Sequence, residues 1–153
     1  MTPGGLALLR TDEGTRLNAY DDANGRMLVP GYALVGHPTI GVGRALDVHG
    51  ISNAESDMLL DNDIAAIEGK LIAALPCFAT LDEARAYVLT NVAFNCGVAE
   101  LLSFHHMLAA VAAGDWAQTA TELLDSDAAR QLPARYHRLV DVLLNGFPHA
   151  DGV

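Results

Sequence analysis

The chain has 153 residues, a length typical of one domain, and 51% of them are apolar, so a core can form without disulfides or metals. A formal net charge of −10 argues against a wide basic surface for nucleic acid. No segment approaches the roughly 18 to 20 apolar residues that cross a bilayer, and residues 1–10 lack the pattern of a signal peptide. We therefore expect a soluble monomer that neither binds nucleic acid nor inserts into a membrane, made without an export signal.

The two cysteines and six histidines do not form a recognisable metal or disulfide pattern. Cys77 and Cys96 are too few for a disulfide framework and lack the close spacing of a zinc site. The histidines include no H-E-x-x-H motif. We expect two buried, reduced thiols, no metal site and no cofactor.

The first third of the chain predicts one short helix followed by extended segments. Residues 3–14 suit a helix that stops at a glycine, with Glu13 in its last turn. Residues 16–20 and 26–29 are predicted to pair as a hairpin, because a cluster of turn-forming residues separates them. Residues 39–43 form a further extended segment in which glycines alternate with β-branched residues.

The remaining two thirds predict helices. Ser52 and Glu55 have the spacing of a capping box, and apolar residues then recur at helical intervals as far as position 75. Either Thr80 or Asp82 can cap the next helix, which ends at Gly97. Three more helices are predicted, over residues 104–113, 115–124 and 133–146, the last with Pro133 as its first residue.

These elements together predict an α+β fold that is mainly α, in a single domain over residues 1–153. A small lobe would span residues 14–51, and a long linking helix would span residues 52–75. A helical lobe over residues 76–146 would pack with the helix of residues 3–13.

Glu13 and Asp22 are the carboxylates most easily assigned to chemistry, although most carboxylates in any chain are solvated surface charges. One closes a helix and the other lies in the following turn, so both could face a cleft that the strand of Thr39 lines. Hydrolysis of a glycosidic bond uses two carboxyl groups, one to protonate the leaving oxygen and one to stabilise or activate the attacking group.

Several motifs make the chain resemble the phage-type lysozymes, glycoside hydrolase family 24. They occur in the family's order along nearly the whole chain: residues 9–17 (LRTDEGTRL), Tyr20, Asp22, Gly25, residues 39–43 (TIGVG), 80–82 (TLD), 91–97 (NVAFNCG) and 103–104 (SF), Trp116, residues 133–135 (PAR), and Arg138. The resemblance implies a lysozyme-like fold, with a small β-hairpin lobe and a helical lobe joined by a long helix.

The resemblance also implies roles for individual residues. Glu13 would be the general acid, Asp22 the second carboxylate, and Thr39 the hydroxyl that helps to hold the attacking water in an inverting hydrolysis. Arg135 would reach back towards the acid, although a surface charge is the simpler alternative. Phe94 and Asn95 would bind the sugar, with core packing for Phe94 and a helix-terminal role for Asn95 as alternatives.

The chain departs from the family pattern in two places. Thr39 lies seventeen residues after Asp22 instead of the usual six, so residues 26–38 contain an insertion of about eleven residues. We expect the apolar residues of this insertion to pack onto the small lobe, with contact to glycan as the alternative. Arg44 replaces a family histidine, and Asp63 is its expected partner.

The function implied is that of a muramidase, which cleaves the β-1,4 bond between N-acetylmuramic acid and N-acetylglucosamine in bacterial peptidoglycan. We expect a phage endolysin that is made in the host cytoplasm and reaches the wall in the periplasm through a phage-made membrane hole, or holin. One alternative is a virion-associated or effector lysozyme that opens the wall locally. The other is a catalytically silent peptidoglycan-binding module.

Overall fold

The computed structural model describes residues 1–148. It is 65% helical with a three-stranded antiparallel sheet, which confirms the predicted mainly α fold with a small β part and agrees with a lysozyme-like fold. Contacts divide the chain into two compact units, an N-terminal unit (Met1–Met58) and a C-terminal unit (Leu59–Val153). The packing of residues 3–13 on the helical lobe stays a prediction, and positions 149–153 of the expected domain lie outside the described residues.

The N-terminal unit begins with helix α1 (Pro3–Glu13) and continues into the sheet. Thr2 caps α1 by accepting a hydrogen bond from the Gly5 N–H, and Pro3 occupies the first turn, where its missing N–H is not needed. The sheet has the order β1 (Arg16–Asp21), β2 (Pro38–Gly41) and β3 (Arg44–Ala45). Tyr20 is paired with Thr39 across β1 and β2, so the sheet carries Thr39 close to the end of β1.

The predicted hairpin between residues 16–20 and 26–29 forms only next to its turn. Tyr20 and Met27 form an isolated bridge, and the Leu28 N–H donates to the Ala19 carbonyl, but residues 26–29 do not form a strand. The partner of β1 in the sheet is β2, which follows the insertion. Pro30 has no N–H to donate, so it cannot extend a ladder beside β1.

A short helix, α2 (Leu46–His49), precedes the long helix α3 (Asn53–Ala74). The predicted capping box is confirmed: the Ser52 hydroxyl accepts from the Glu55 N–H at 3.2 Å, and the Glu55 carboxylate accepts from the Ser52 N–H at 2.7 Å.

The expected pairing of Arg44 with Asp63 is wrong. The Arg44 guanidinium donates to Glu55 at 2.9 Å and to the Gly50 carbonyl at 2.7 Å. Glu55 lies in the first turn of α3, immediately after the Gly50 turn, whereas Asp63 is about 12 Å further along the helix at a rise of 1.5 Å per residue.

The C-terminal unit continues with a 3₁₀ turn (Phe78–Thr80) and helices that match the predicted positions closely. Asp82, one of the two proposed caps, accepts from the Arg85 N–H and begins the next helix. The further helices are α4 (Glu83–Cys96), α5 (Val98–Ser103), α6 (His105–Ala113), α7 (Trp116–Leu124), α8 (Asp127–Gln131) and α9 (Pro133–Asn145). The sequence did not predict α2, α5 or α8, which are six residues or shorter.

The apolar core lies in the C-terminal unit, around the fully buried side chains of Leu71, Val88, Leu101 and Tyr136. In the N-terminal unit, all of which the structure describes, the buried residues are instead the two polar ones Asp21 and Thr39. The small unit is therefore organised around hydrogen bonds and not around an apolar cluster.

Cys77 and Cys96 are free thiols, as predicted, but both are only partly buried. Within residues 1–148, no helix combines the length and apolar character needed to span a membrane.

Candidate active site

Glu13 is the last residue of α1 and its side chain is exposed. The helix ends there because Gly14 adopts a φ of 72°, a conformation that costs glycine little, while its N–H donates to the Arg10 carbonyl. The chain then enters β1 at Arg16. Glu13, the predicted acid, therefore lies at the end of a helix with its side chain accessible to a ligand.

Asp22 and Thr39 are brought together by one residue, His37. The His37 N–H donates to Asp22 Oδ1 at 2.7 Å, and the His37 carbonyl accepts from the Asp22 N–H at 3.2 Å. The same carbonyl accepts from the Thr39 hydroxyl at 3.1 Å. Although seventeen residues separate them, Asp22 and Thr39 therefore contact the same short segment.

The exposures of these two side chains differ. Asp22 is exposed, so its carboxylate can meet a ligand or a water directly. Thr39 is only 3% exposed, and its hydroxyl hydrogen is directed to the His37 carbonyl. A hydroxyl oxygen that donates one hydrogen bond still has lone pairs that can accept another.

The His37 side chain forms an ion pair with Asp47, with 2.9 Å between His37 Nδ1 and Asp47 Oδ2. This hydrogen bond and the charge of Asp47 raise the pKa of His37 above its ordinary value of 6.5. The same contact lowers the pKa of Asp47 below 3.8. An imidazole whose pKa is raised by Asp47 therefore lies next to the backbone that holds Asp22 and Thr39.

In the C-terminal unit, Phe94 and Arg135 line one pocket of about 270 Å³. Leu60 and Ile64 of α3 supply an apolar wall, and Phe94 is 47% exposed. A ring face beside a few polar groups suits a sugar, whose C–H faces are apolar and whose substituents form hydrogen bonds. The structure thus places two of the three predicted binding residues at the same cavity.

Asn91 also lines this pocket, and the sequence did not single it out as a site residue. Its Oδ1 accepts from Arg135 Nε at 3.0 Å and from Arg135 Nη2 at 2.8 Å, and its Nδ2 donates to the Tyr87 hydroxyl at 3.0 Å. A forked contact of this kind fixes the plane of the guanidinium. One feature of the sequence could have identified Asn91 as a site residue. It is a polar amide in a predicted helix, and its neighbours in sequence on both sides are buried and mostly apolar.

Thr90 also lines this pocket, and its hydroxyl oxygen is buried. It is 6% exposed, and within residues 1–148 its oxygen has no hydrogen-bond partner. A buried hydroxyl without a partner is unusual in a folded protein.

Asn95, the third predicted binding residue, is not among the residues that line this pocket. Its Oδ1 accepts from the Tyr136 hydroxyl at 3.1 Å, and Tyr136 is fully buried. This contact favours the alternative in which Asn95 has a structural role near the end of α4, and its sugar-binding role stays a prediction.

Asp21 is a second residue that the sequence did not single out. It is fully buried next to Asp22, and its carboxylate accepts hydrogen bonds from the insertion. Its position beside another aspartate in a turn gave no sign of burial, because neighbouring carboxylates in turns are usually solvated. In residues 1–148, no cluster of three His, Cys, Asp or Glu side chains has the arrangement of a metal site.

The fold and these residues define a class: a mainly α, lysozyme-like protein with a glutamate at a helix end, an aspartate in the turn after β1 and a threonine on β2. The family model described as phage lysozyme matches residues 10–138. The chain therefore belongs to the phage lysozyme family, which places it among the glycosidases of the lysozyme kind.

Three relatives show how far this similarity extends. The chain is 26% identical over 162 residues to probable T4-type lysozyme 1 of Dictyostelium discoideum, an alignment covering 91% of this chain and 92% of that protein. It is 26% identical over 160 residues to probable T4-type lysozyme 2 of the same organism, with the same coverage. It is also 26% identical over 174 residues to the pre-baseplate central spike protein Gp5 of Enterobacteria phage T4. That alignment covers 95% of this chain but only 28% of the spike protein.

Proposed function

We propose that the chain is a muramidase that hydrolyses the β-1,4 bond between N-acetylmuramic acid and N-acetylglucosamine in bacterial peptidoglycan. Its partners would be the glycan strands alone, bound by a monomer that needs no cofactor. The match to the phage lysozyme family over residues 10–138 supports this activity. The observation that carries the proposal is the convergence of Asp22 and Thr39 on His37 across a seventeen-residue separation.

In this proposal, Glu13 donates a proton to the leaving glycosidic oxygen. Asp22 acts on the opposite face of the sugar and, with the Thr39 hydroxyl, orients the attacking water. Inversion requires space for that water, which corresponds to roughly 6.5 to 9.5 Å between the two carboxyl groups. Phe94, Asn95 and Arg135 bind the glycan, and Asn91 fixes the guanidinium of Arg135.

Mass spectrometry of muropeptides released from purified wall tests the reaction. A hydrolase releases products with reducing N-acetylmuramic acid ends, and a transglycosylase releases anhydro sugars. A silent binding module releases nothing, although it sediments with the wall. Only the first result agrees with the proposal.

Glu13→Gln should reduce turnover of purified wall by about 10²-fold or more, because the amide keeps the shape but has no proton to donate. The turbidity of a wall suspension measures the initial rate. Glu83→Gln is a matched control, since Glu83 is an exposed glutamate on α4 outside the proposed machinery. Parental activity in the Glu13 variant would show that the acid is assigned to the wrong residue.

For the biological role, we propose an endolysin that is made in the bacterial cytoplasm and released to the wall through a holin. Expression in the cytoplasm of a Gram-negative host should then leave cells intact until the inner membrane is permeabilised with chloroform. Prompt clearing after chloroform, absent in cells that express Glu13→Gln, is the expected result. Lysis without permeabilisation would contradict this route of release.

The similarity to the central spike protein of phage T4 favours a second candidate, a virion-associated lysozyme that opens the wall locally. The chain spans only 28% of that spike protein, so the likeness concerns one part of it. Detection of this chain in purified particles of the phage or prophage that encodes it would select this role over the endolysin.

A further inference from the structure

The carboxylate of Asp21 is the most completely hydrogen-bonded group of the N-terminal unit, and it is fully buried. Backbone N–H groups and two side chains surround both of its oxygens. The donors are Ala23 N–H (3.0 Å), Asn24 Nδ2 (3.1 Å), the Tyr32 hydroxyl (3.0 Å), Val35 N–H (2.9 Å) and Gly36 N–H (2.9 Å). Three of these five donors belong to the 26–38 insertion.

These contacts keep the buried carboxylate charged. Burial by itself raises the pKa of Asp21, but the hydrogen bonds from Val35, Gly36, Tyr32 and Ala23 outweigh it and bring the pKa below 3.8. A buried carboxylate is tolerated only when donors satisfy it, and removing it leaves those donors without a partner. Asp21 therefore stays charged above its lowered pKa, with three donors of the insertion hydrogen-bonded to it.

The segment that Asp21 holds leads directly to Asp22. Val35 and Gly36, both bonded to Asp21, are followed by His37, whose N–H donates to Asp22 Oδ1. Gly36 lies so close to Asp22 that a Cβ at this position would collide with the Asp22 carboxylate, and it would lie 2.8 Å from the Ala23 Cβ. The close approach therefore requires glycine at position 36.

We propose that Asp21 is a positioning residue that orients the Asp22 carboxylate and the Thr39 hydroxyl through the backbone of residues 35–37. The proposal rests on the function proposed above for Asp22 and Thr39. The proposal also assigns a role to the insertion. The buried Asp21 carboxylate holds the long connection between Asp22 and Thr39, so that His37 lies within hydrogen-bond distance of both residues. A displacement of a catalytic group by about 1 Å can cost about 10²-fold in rate, so such an anchor would affect turnover as well as stability.

Asp21→Asn is the first test, because the amide has the same shape but presents an NH₂ group to N–H donors. Steady-state kinetics on soluble peptidoglycan fragments would be measured at a temperature where circular dichroism shows the variant to be folded. We expect kcat to fall at least about tenfold, with KM within about twofold of the parent, since binding residues elsewhere are unchanged. Asp57→Asn, an exposed residue of α3 with the same change in charge, should match the parent.

Two milder variants keep the proposal testable if Asp21→Asn does not fold. Tyr32→Phe removes one donor, and Gly36→Ala pushes against Asp22 and against Ala23, another partner of Asp21. A fall in kcat in Tyr32→Phe supports positioning, because the hydrogen bond removed is one to Asp21 and not to Asp22. Parental kcat in the folded Asp21→Asn protein, or in both milder variants when that protein does not fold, would reduce Asp21 to a stabilising residue and overturn the proposal.

Nuclear magnetic resonance of the ¹⁵N-labelled full chain tests the same arrangement without activity. The amide protons of Val35 and Gly36 should titrate together with an apparent pKa below 3.8, and Asp21→Asn should abolish that titration and shift the His37 amide. If the chemical shifts of these amide protons do not change as Asp21 ionises, the proposal is overturned. By contrast, a parent protein that is inactive on wall, or an Asp22→Asn variant with full activity, would contradict the proposed function and leave these amide shifts as they are.

Discussion

The imidazole of His37 pairs with Asp47 at 2.9 Å, while the His37 backbone contacts Asp22 and Thr39. Both partners of the ion pair are about half exposed, at 53% and 45%, so solvent screens their attraction. The pair therefore adds little to global stability. The effect of the ion pair is local. It restrains the side chain of His37, whose backbone is hydrogen-bonded to both Asp22 and Thr39.

A titration of His37 followed by NMR of its ring protons should give a pKa above 6.5. In Asp47→Asn the pKa should fall back towards its ordinary value, because the hydrogen bond to a charged acceptor is lost. Equal pKa values for His37 in parent and variant would show that the pair does not form in solution.

The sign of the effect on stability follows from the direction of this shift. Because folding raises the pKa of His37, the pair contributes fully below the unfolded value of about 6.5 and its contribution is lost as pH rises through the folded value. Thermal unfolding of the parent and of Asp47→Asn should therefore differ slightly at pH 5 and coincide at pH 9. A difference that grows with pH would contradict the assignment.

Among the elements, the start of α3 is the best defined by its sequence. Ser52 and Glu55 exchange three hydrogen bonds, two of which go to the Glu55 carboxylate, and Arg44 adds a third contact to that carboxylate. Hydrogen bonds from the backbone and side chain of Ser52 are the main cause that lowers the pKa of Glu55 below 4.5. This contribution is present above the unfolded pKa and is lost as pH falls through the folded one.

Ser52→Ala should lower the free energy of unfolding by about 1 kcal/mol, the usual cost of removing a helix cap. Chemical denaturation at pH 7 measures the change. Ser56→Ala is a suitable control, since Ser56 lies one turn further along α3 and does not cap it. A loss no larger than that of the control would mean that the capping box does not stabilise α3.

The insertion shows a different relation between sequence and structure. The expectation that its apolar residues pack onto the small lobe is wrong for Leu34 and Val35, which are 45% and 76% exposed. What ties the insertion down is polar, namely the Tyr32 hydroxyl and the N–H groups of Val35 and Gly36 on Asp21. Hydropathy identifies apolar residues but not backbone donors, so this anchor was not visible in the sequence.

Val35→Ser should therefore change the free energy of unfolding by no more than about 0.5 kcal/mol, as is usual for an exposed side chain. Its backbone N–H, which contacts Asp21, is kept. The same variant distinguishes the alternative of glycan contact, because a tenfold weaker apparent affinity, about 1.4 kcal/mol, would show that the exposed side chain binds substrate. A large loss of stability would show that Val35 is packed in solution.

The sequence predicted elements best where local signals determine them. Caps at Ser52 and Asp82, the stop at Gly14 and the start at Pro133 each depend on a few adjacent residues, and all were found where expected. Contacts between distant residues were harder. The choice of Glu55 over Asp63 and the use of residues 38–41 to pair with β1 depend on how the chain turns between them.

At the scale of the whole molecule, the charge is strongly unbalanced, with 19 acidic and 9 basic residues. Several of the basic side chains are already paired with carboxylates. Arg130 contacts both Asp125 and Asp127, and Arg85 contacts Asp82. Arg130 thus adds little positive potential beside Arg135 and Arg138, and a concentrated basic patch on the C-terminal unit is weakened accordingly.

Moderate salt should therefore raise the rate of wall cleavage or leave it unchanged. A chain with a net charge of −10 and an anionic wall repel each other, and salt screens that repulsion over a Debye length of about 10 Å at 0.1 M. Initial rates on purified wall between about 10 and 100 mM salt measure the effect. The double variant Asp125→Asn, Asp127→Asn releases Arg130 from its ion pairs and raises the net charge by two. The cleavage rate of this variant should exceed that of the parent at low salt and equal it at high salt. A steep fall in the parent's rate with salt would instead show that attraction through Arg135 and Arg138 dominates the approach to the wall, despite the net charge.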